Sequence, residues 1–171
     1  RAAELQRRTN PFVLRRTKEQ VAKELPDKTE MVIYCQMGKQ QREIYESCRD
    51  EIRDYLMGTA EDELTKSSMH VLQGIMKLRQ ICNSPAILNK DKYFGDASAK
   101  MDVLMEQIES KSSQHKILVF SQFVSMLDLI KLELENRKVM YTYLTGQTKD
   151  RSAVVNAFES RPEVRVYLIS L

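Results

Sequence analysis

Three short polar turns each follow an apolar run in the second half of the chain. Ser121-Gln122 follows ILVF at 117–120, Thr145-Gly146 follows the run from Val139 to Leu144, and Ser170 stands near the end of VRVYLISL. If the three runs are parallel strands, all three turns fall on one edge of a sheet. Hydroxyls, an amide and the backbone N–H groups of the helices that begin there then face one surface, which is suitable chemistry for phosphate oxygens. The same residues are ordinary turn formers, and on the residues alone the two readings stand level. Arg151 adds a cation in the first turn of the helix after Thr145-Gly146, where it opposes the helix dipole. An Arg in that place either binds phosphate or pairs with a neighbouring acid.

The elements that must position these turns follow from the hydrophobic pattern. Ile117 to Phe120 is an unbroken apolar run, the pattern of a strand buried on both faces. Being uncharged, it is expected at the centre of the sheet, with neighbours at 140–144 and 165–169. After Ser121-Gln122 the period changes, and Phe123, Met126, Leu127, Ile130 and Leu134 form the stripe of a helix over 123–136. Val139 to Leu144 is the next strand, and Asp150 to Ser160 a helix that packs through Val154, Val155 and Phe158. Arg161-Pro162-Glu163 turns the chain into a strand over 164–171. Upstream, Ser98 is an N-cap for a helix over Ala99–Glu109 carrying Met101, Leu104, Met105 and Ile108. From about residue 98 the order is α-β-α-β-α-β, which predicts an α/β fold with parallel strands, right-handed crossovers and helices on both faces.

The first half reads differently. Residues 1–28 are basic, with a helix expected from Arg16 to Leu25 between Pro11 and Pro26. Arg7, Arg8, Arg15, Arg16 and Lys18 either form a solvated face or meet phosphate or an acidic surface. Thr29 to Met37 is rich in strand formers and reads as a strand. Lys39 to Met57 carries Ile44, Cys48, Ile52, Tyr55 and Leu56 at helical spacing and is closed by Gly58. Residues 59–68 read as a polar loop. His70 to Cys82 is a helix with Val71, Ile75, Leu78 and Cys82 on one face, stopped by Asn83-Ser84-Pro85. Residues 86–97 form a second loop.

Composition narrows the function classes. The chain has 171 residues, 30% charged and 42% hydrophobic, with five Gly and four Pro, as in an ordinary globular domain. No apolar run is long enough to span a bilayer, and no membrane partner is expected. No signal peptide is visible, and the start at Arg1 and the end inside an apolar run read as those of an excised fragment. The net charge of +3 permits a nucleic-acid partner without establishing one. Cys35, Cys48 and Cys82 include no C-x-x-C spacing, the pattern of reduced thiols in an intracellular protein. His70 and His115 lie far apart, so no metal site is expected.

The wording of the motifs is more specific. KILVFSQFVSMLDLI resembles motif IV of the SWI/SNF family of helicase-superfamily-two ATPases. TYLTGQTKDRSAVVNAF is similar to the segment that follows there, and VYLISL to the opening of motif V. PFVLRRTKEQVAKELPDKTE resembles the family's link between its two RecA-like lobes. GKQQREIYE and LRQICNSPAIL match its helices ahead of the second lobe's core. Ser84 is a departure, since the family often has His there. The resemblance covers nearly the whole chain in order.

It implies a RecA-like (P-loop NTPase-type) helicase C-terminal lobe with a parallel sheet, truncated, and with a helical N-terminal extension. Residues 1–28 would be the link from the missing first lobe, 29–97 a strand and helical region, and 98–171 the second-lobe core. The parent would be a DNA-dependent ATPase that translocates on duplex DNA and remodels protein–DNA complexes. ATP and Mg would serve the parent, with none expected on this piece. No G-x-x-x-x-G-K-[ST] occurs here, and the arginine of motif VI would follow Leu171. The piece is therefore expected to hold no catalytic residue and to be inactive alone. Its partners would be double-stranded DNA, the first lobe and DNA-bound proteins, in the nucleus of a eukaryote or the cytoplasm and nucleoid of a bacterium. In the family the turn matched by Ser121 and Gln122 contacts the DNA backbone. Thr145 and Gly146 match the following turn, and Ser170 the start of motif V. Arg15 and Arg16 match the basic pair of the link, with a contact to DNA or to the other lobe. The competing class is a non-enzymatic interaction module derived from such a lobe. An RNA helicase lobe fits less well, because neither LRRTK nor LRQICNSP is typical of one.

Overall fold

In the computed structural model, which describes residues 2–26, 28–58, 68–88 and 98–171, residues 1–34 and 35–171 form two units. The first begins with a helix the apolar pattern does not announce, α1 (Ala2–Thr9). Its residues are strong helix formers, and Arg8 pairs with Glu4 at 2.8 Å one turn away. A 3₁₀ turn at Asn10–Phe12 takes Pro11 in its first turn. The helix expected over 16–25 contracts to α2 (Lys18–Val21), where the Thr17 N–H donates to Gln20 Oε1 at 3.3 Å. Val21 and Leu25 are both exposed, so no packing extends this short helix.

The strand expected over 29–37 does not form, since residues 28–38 make neither helix nor strand. A strand needs a neighbour for its backbone N–H and C=O groups, and no described residue supplies one. Met31, Val32 and Tyr34 are left 79%, 74% and 89% exposed. Strand-forming residue types without a ladder do not make a strand.

The second unit opens with α3 (Lys39–Met57), which ends where the Gly58 N–H donates to Asp54 O at 3.0 Å. It packs on α4 (Ser68–Asn83). The approach is close at Gly74, where a Cβ would lie 2.8 Å from Ile52 Cδ1. The buried Gln41 fixes the junction. Its Nε2 donates to Ile81 O at 2.8 Å, and its Oε1 accepts from the Ala99 N–H at 3.3 Å. Ser98 donates to Asn83 O at 2.6 Å and caps α5 (Ala99–Lys111) through the Met101 N–H. Orphan backbone groups at the end of α4 and the start of α5 are satisfied together. The expected loops over 59–68 and 86–97 lie mostly outside the described residues. Ser68 already belongs to α4, and Pro85–Ile87 is a 3₁₀ turn.

The rest is β1 (Ile117–Ser121), α6 (Val124–Asn136), β2 (Tyr141–Leu144), α7 (Arg151–Ser160) and β3 (Val166–Ser170). The sheet is parallel, with order β1-β3-β2. The central strand is therefore β3, not β1 as the uncharged run at 117–120 implied. Val166, Tyr167 and Leu168 are all buried, whereas among the described residues β1 pairs on one side only and leaves Leu118 and Phe120 about half exposed. An apolar run records what a strand avoids, not how many neighbours it has.

The two crossovers run in opposite directions across the sheet, so right-handedness puts their helices on opposite faces. On one face α5 and α6 bury Met105, Ile108, Met126, Leu127, Ile130 and Leu134 with Val119, Val166 and Leu168. On the other, the Phe158 ring of α7 lies 5.0 Å from the Tyr167 ring. Lys116 lies over the same Phe158 ring at 4.8 Å and donates to the Phe158 and Glu159 carbonyls at the C-terminal end of α7, where a cation suits the helix dipole. Among the described residues no helix is long and apolar enough to cross a membrane.

Candidate nucleic-acid interface

Parallel register brings the three turns to one edge. Ser121 is the register partner of Ser170, and Leu144 that of Ile169, so Thr145 follows at the same level. The Leu171 N–H donates to Ser121 O at 3.0 Å and carries the pairing past the strand ends. This is the carboxyl edge, where open parallel sheets take their ligands.

The side chains there are not equivalent. Ser121 is half-buried, and its Oγ accepts from the Phe123 N–H at 3.0 Å and lies 3.2 Å from Phe123 O. That hydroxyl is engaged in shaping the turn into α6. Thr145 is half-buried as well. Its N–H donates to Thr148 Oγ1 at 2.9 Å, and its own Oγ1 accepts from the Gln147 N–H at 3.3 Å. Gly146 is exposed, and a Cβ built there meets nothing within 4 Å. The fold does not demand glycine at 146, so what it contributes is an uncovered backbone. Ser170 is half-buried beside Ser121.

Gln122 is exposed and has a partner the sequence did not disclose. Its Oε1 accepts from Arg79 Nη2 at 2.6 Å. Arg79 belongs to α4, and its guanidinium carbon stands 5.4 Å from the centroid of the Phe123 ring. The buried side of α4 runs through Gly74 and Ile81 with Leu78 half-buried, while Ile75 is 48% exposed. Of the expected face, Val71, Leu78 and Cys82 are half-buried and Ile75 is exposed, so the covered side is shifted toward Gly74, which admits a close neighbour that hydrophobicity does not register.

Arg151 is the first residue of α7 and is exposed. Its neighbour Asp150 caps the helix through the Ala153 N–H at 2.8 Å and offsets a cation in the first turn. No ion pair among the described residues involves Arg151. Arg15 and Arg16 lie in the other unit, both exposed, just ahead of α2. The structure brings the strand-end residues together within the second unit.

Among the described residues, no group of three or more His, Cys, Asp and Glu side chains could hold a metal ion. The sequence contains no phosphate-binding loop of the G-x-x-x-x-G-K-[ST] type.

A family model of the SNF2-related domain matches residues 1–87, and the helicase conserved C-terminal domain matches residues 99–171. The chain belongs to the SNF2-related family. It is 33% identical to an uncharacterised ATP-dependent helicase of Mycoplasma genitalium, over 98% of this chain and 16% of the helicase. It is 32% identical to the nuclear protein STH1/NPS1 of Saccharomyces cerevisiae, over 88% of this chain and 12% of that protein. The SNF2-related chain thus spans about a sixth of these curated relatives' length or less. Among solved structures it is similar to the Sulfolobus solfataricus SWI2/SNF2 ATPase core in complex with dsDNA. There the TM-score is 0.77 and identity 29%, over 98% of this chain and 36% of that one. The C-terminal domain of the same ATPase matches at TM-score 0.70 and 26% identity, over 81% of this chain and 61% of that one. The parallel sheet with its flanking helices is that of a SWI2/SNF2 ATPase lobe.

Proposed function

We propose that the chain is part of an ATP-dependent DNA translocase of the SWI/SNF type, and that it supplies part of the duplex-facing surface of the second lobe. The observation that carries this reading is the strand-end edge, in a chain matched over 98% of its length by an ATPase core solved with dsDNA. Ser121, Gln122, Thr145, Gly146, Arg151 and Ser170 would be its duplex contacts, and Arg15 and Arg16 contacts to the other lobe or to DNA. ATP and Mg would be held by residues of the parent outside this chain. Contacts of this kind position the protein on the phosphate backbone without reading bases.

The test is the ATPase rate of the full-length protein with and without duplex DNA. Duplex is expected to raise the rate, and Gln122→Ala to lower the stimulation ratio about fivefold, as for one lost hydrogen bond of about 1 kcal/mol. The reduction should be alike on unrelated sequences. A full-length protein that hydrolyses no ATP with or without duplex would favour the non-enzymatic interaction module.

A further inference from the structure

The strand-end edge is polar but nearly uncharged, and phosphate binding draws most of its affinity from cations. Arg79 supplies one from outside the edge, 43 residues before the turn it meets. Its surroundings hold it without neutralising it. Gln122 is a neutral acceptor, Phe123 offers an aromatic face, and Met76 Sδ lies 3.8 Å from Nη1. No carboxylate among the described residues pairs with it, although Arg8, Arg49, Arg53 and Arg137 each have one. A guanidinium has five donors in a fixed plane, of which one is taken by Gln122 Oε1 and a second only by the weak thioether acceptor of Met76. The remaining donors and the full charge stay available, and the amide and ring limit the rotamers lost on binding.

We propose that Arg79 is the phosphate-binding cation of this edge, with Gln122 and Phe123 as the residues that position its guanidinium for duplex DNA. The proposal rests on the DNA-binding reading above and adds to it the residue that carries the charge. It separates the roles of neighbours, with Gln122 acting through Arg79 as well as on its own account. It also explains why α4 is tied so firmly at its far end. The Gln41 bond to Ile81 O and the Ser98 bond to Asn83 O fix the last turn of α4, and with it the position of Arg79 against the turn after β1.

The experiment is duplex binding by the full-length protein across a salt series, on two mixed-sequence duplexes. Arg79→Ala should weaken binding about tenfold at low salt on both duplexes, and should reduce the slope of log affinity against log salt by about 0.9, the loss of one phosphate contact. Arg79→Lys should keep the slope, because it keeps the charge, yet bind more weakly than wild type, because it loses the planar fork. Gln122→Glu should reduce the slope when Arg79 is present, by pairing with it, and change it less in the Arg79→Ala background. Arg79 is exposed, so thermal melting should be the same in all variants. If wild type binds duplex with a steep salt slope and Arg79→Ala matches it in slope and affinity, the proposal is overturned while the DNA-binding reading stands. If wild type shows no salt-dependent duplex binding, both fall. A slope lost equally in Arg79→Lys would show a packing role and would also overturn it.

Discussion

The two faces of the sheet are built to different standards. On the face covered by α5 and α6, nine buried residues form one cluster, and Leu127 and Leu134 are fully inaccessible. On the face covered by α7, Tyr167 is buried against Phe158, but Leu118 and Phe120 in β1 remain 51% and 53% exposed. Two buried hydroxyls, Thr142 Oγ1 and Tyr167 OH, belong to register partners on that second face and have no hydrogen-bond partner among the described residues. The difference comes from the helices. Two helices cover the first face, whereas α7 packs on β2 and leaves β1 open. A strand with apolar residues at every position can therefore be core on one side and surface on the other.

The largest expected effect tests that contrast within one strand. Val119→Asp places a carboxylate in the first face's cluster, where Val119 is 9% exposed. A carboxyl there must be neutralised or left unpaired, at a cost on the order of 4 kcal/mol. Leu118→Asp, one residue earlier and pointing to the other face, should change stability by about 1 kcal/mol or less. Denaturant unfolding of the two variants measures both. Equal losses would mean that the second face is as closed as the first.

The same contrast marks what the pattern of residues could reveal. The helices expected over 39–57, 99–109 and 123–136 were legible to within two residues because one covered face imposes a period near 3.6, and Ser98 caps its helix as its residue type implied. Parallel pairing was legible from the alternation of strand and helix. The strand order was not, since ILVF and VYLI are equally apolar while, among the described residues, β3 alone has two neighbours. The segment at 29–37 has the residue types of a strand, but a ladder is a relation between two segments. The strand-end residues of the candidate site were legible because each ends an apolar run. Arg79 was not, because its place depends on how α4 is turned at Gly74 and on a contact 43 residues away.

A second prediction concerns the hydrogen bonds that tie β2 to α6 on the closed face. Tyr143 donates to Asp128 Oδ1 at 2.9 Å and Tyr141 to Glu135 Oε1 at 2.6 Å. Burial, then the bond to Asp128, push the Tyr143 hydroxyl up to about 12, and Tyr141 is raised further by burial and Glu135. Both hydroxyls hold their protons more tightly folded than unfolded. Their contribution is fully present below the ordinary tyrosine value of about 10 and is lost as pH rises through the folded values. Stability should fall above about pH 10, and Tyr143→Phe should flatten the part of that fall between about 10 and 12. At neutral pH the same variant should cost about 1 kcal/mol, one hydrogen bond. An unchanged alkaline profile in the Tyr143→Phe, Tyr141→Phe double variant would show that these bonds do not hold β2 to α6.

The smallest effect is expected at the turn that delivers the chain from α6 to β2. Lys138 has φ 56, the left-handed region, and is the one non-glycine with positive φ among the described residues. The geometry is a helix ending in which the Lys138 N–H donates to Glu135 O at 3.1 Å and the Val139 N–H reaches back to Leu134 O at 2.8 Å. The acceptor of that second bond is Leu134, whose side chain is fully buried in the closed face, so the turn and the core constrain each other. A non-glycine residue in this conformation costs about 1 kcal/mol, which glycine avoids. Glycine also frees the unfolded chain and offsets part of that gain. Lys138→Gly is therefore expected to raise stability by about 0.5 kcal/mol, and Lys138→Val to lower it by about 1 kcal/mol or more, because a β-branched residue fits the left-handed region worst. Denaturant midpoints of the two variants read the sign directly. A destabilised Lys138→Gly would mean that the lysine side chain itself helps to hold α6 against the sheet, and the closed face would then extend further round the helix end than its buried cluster indicates.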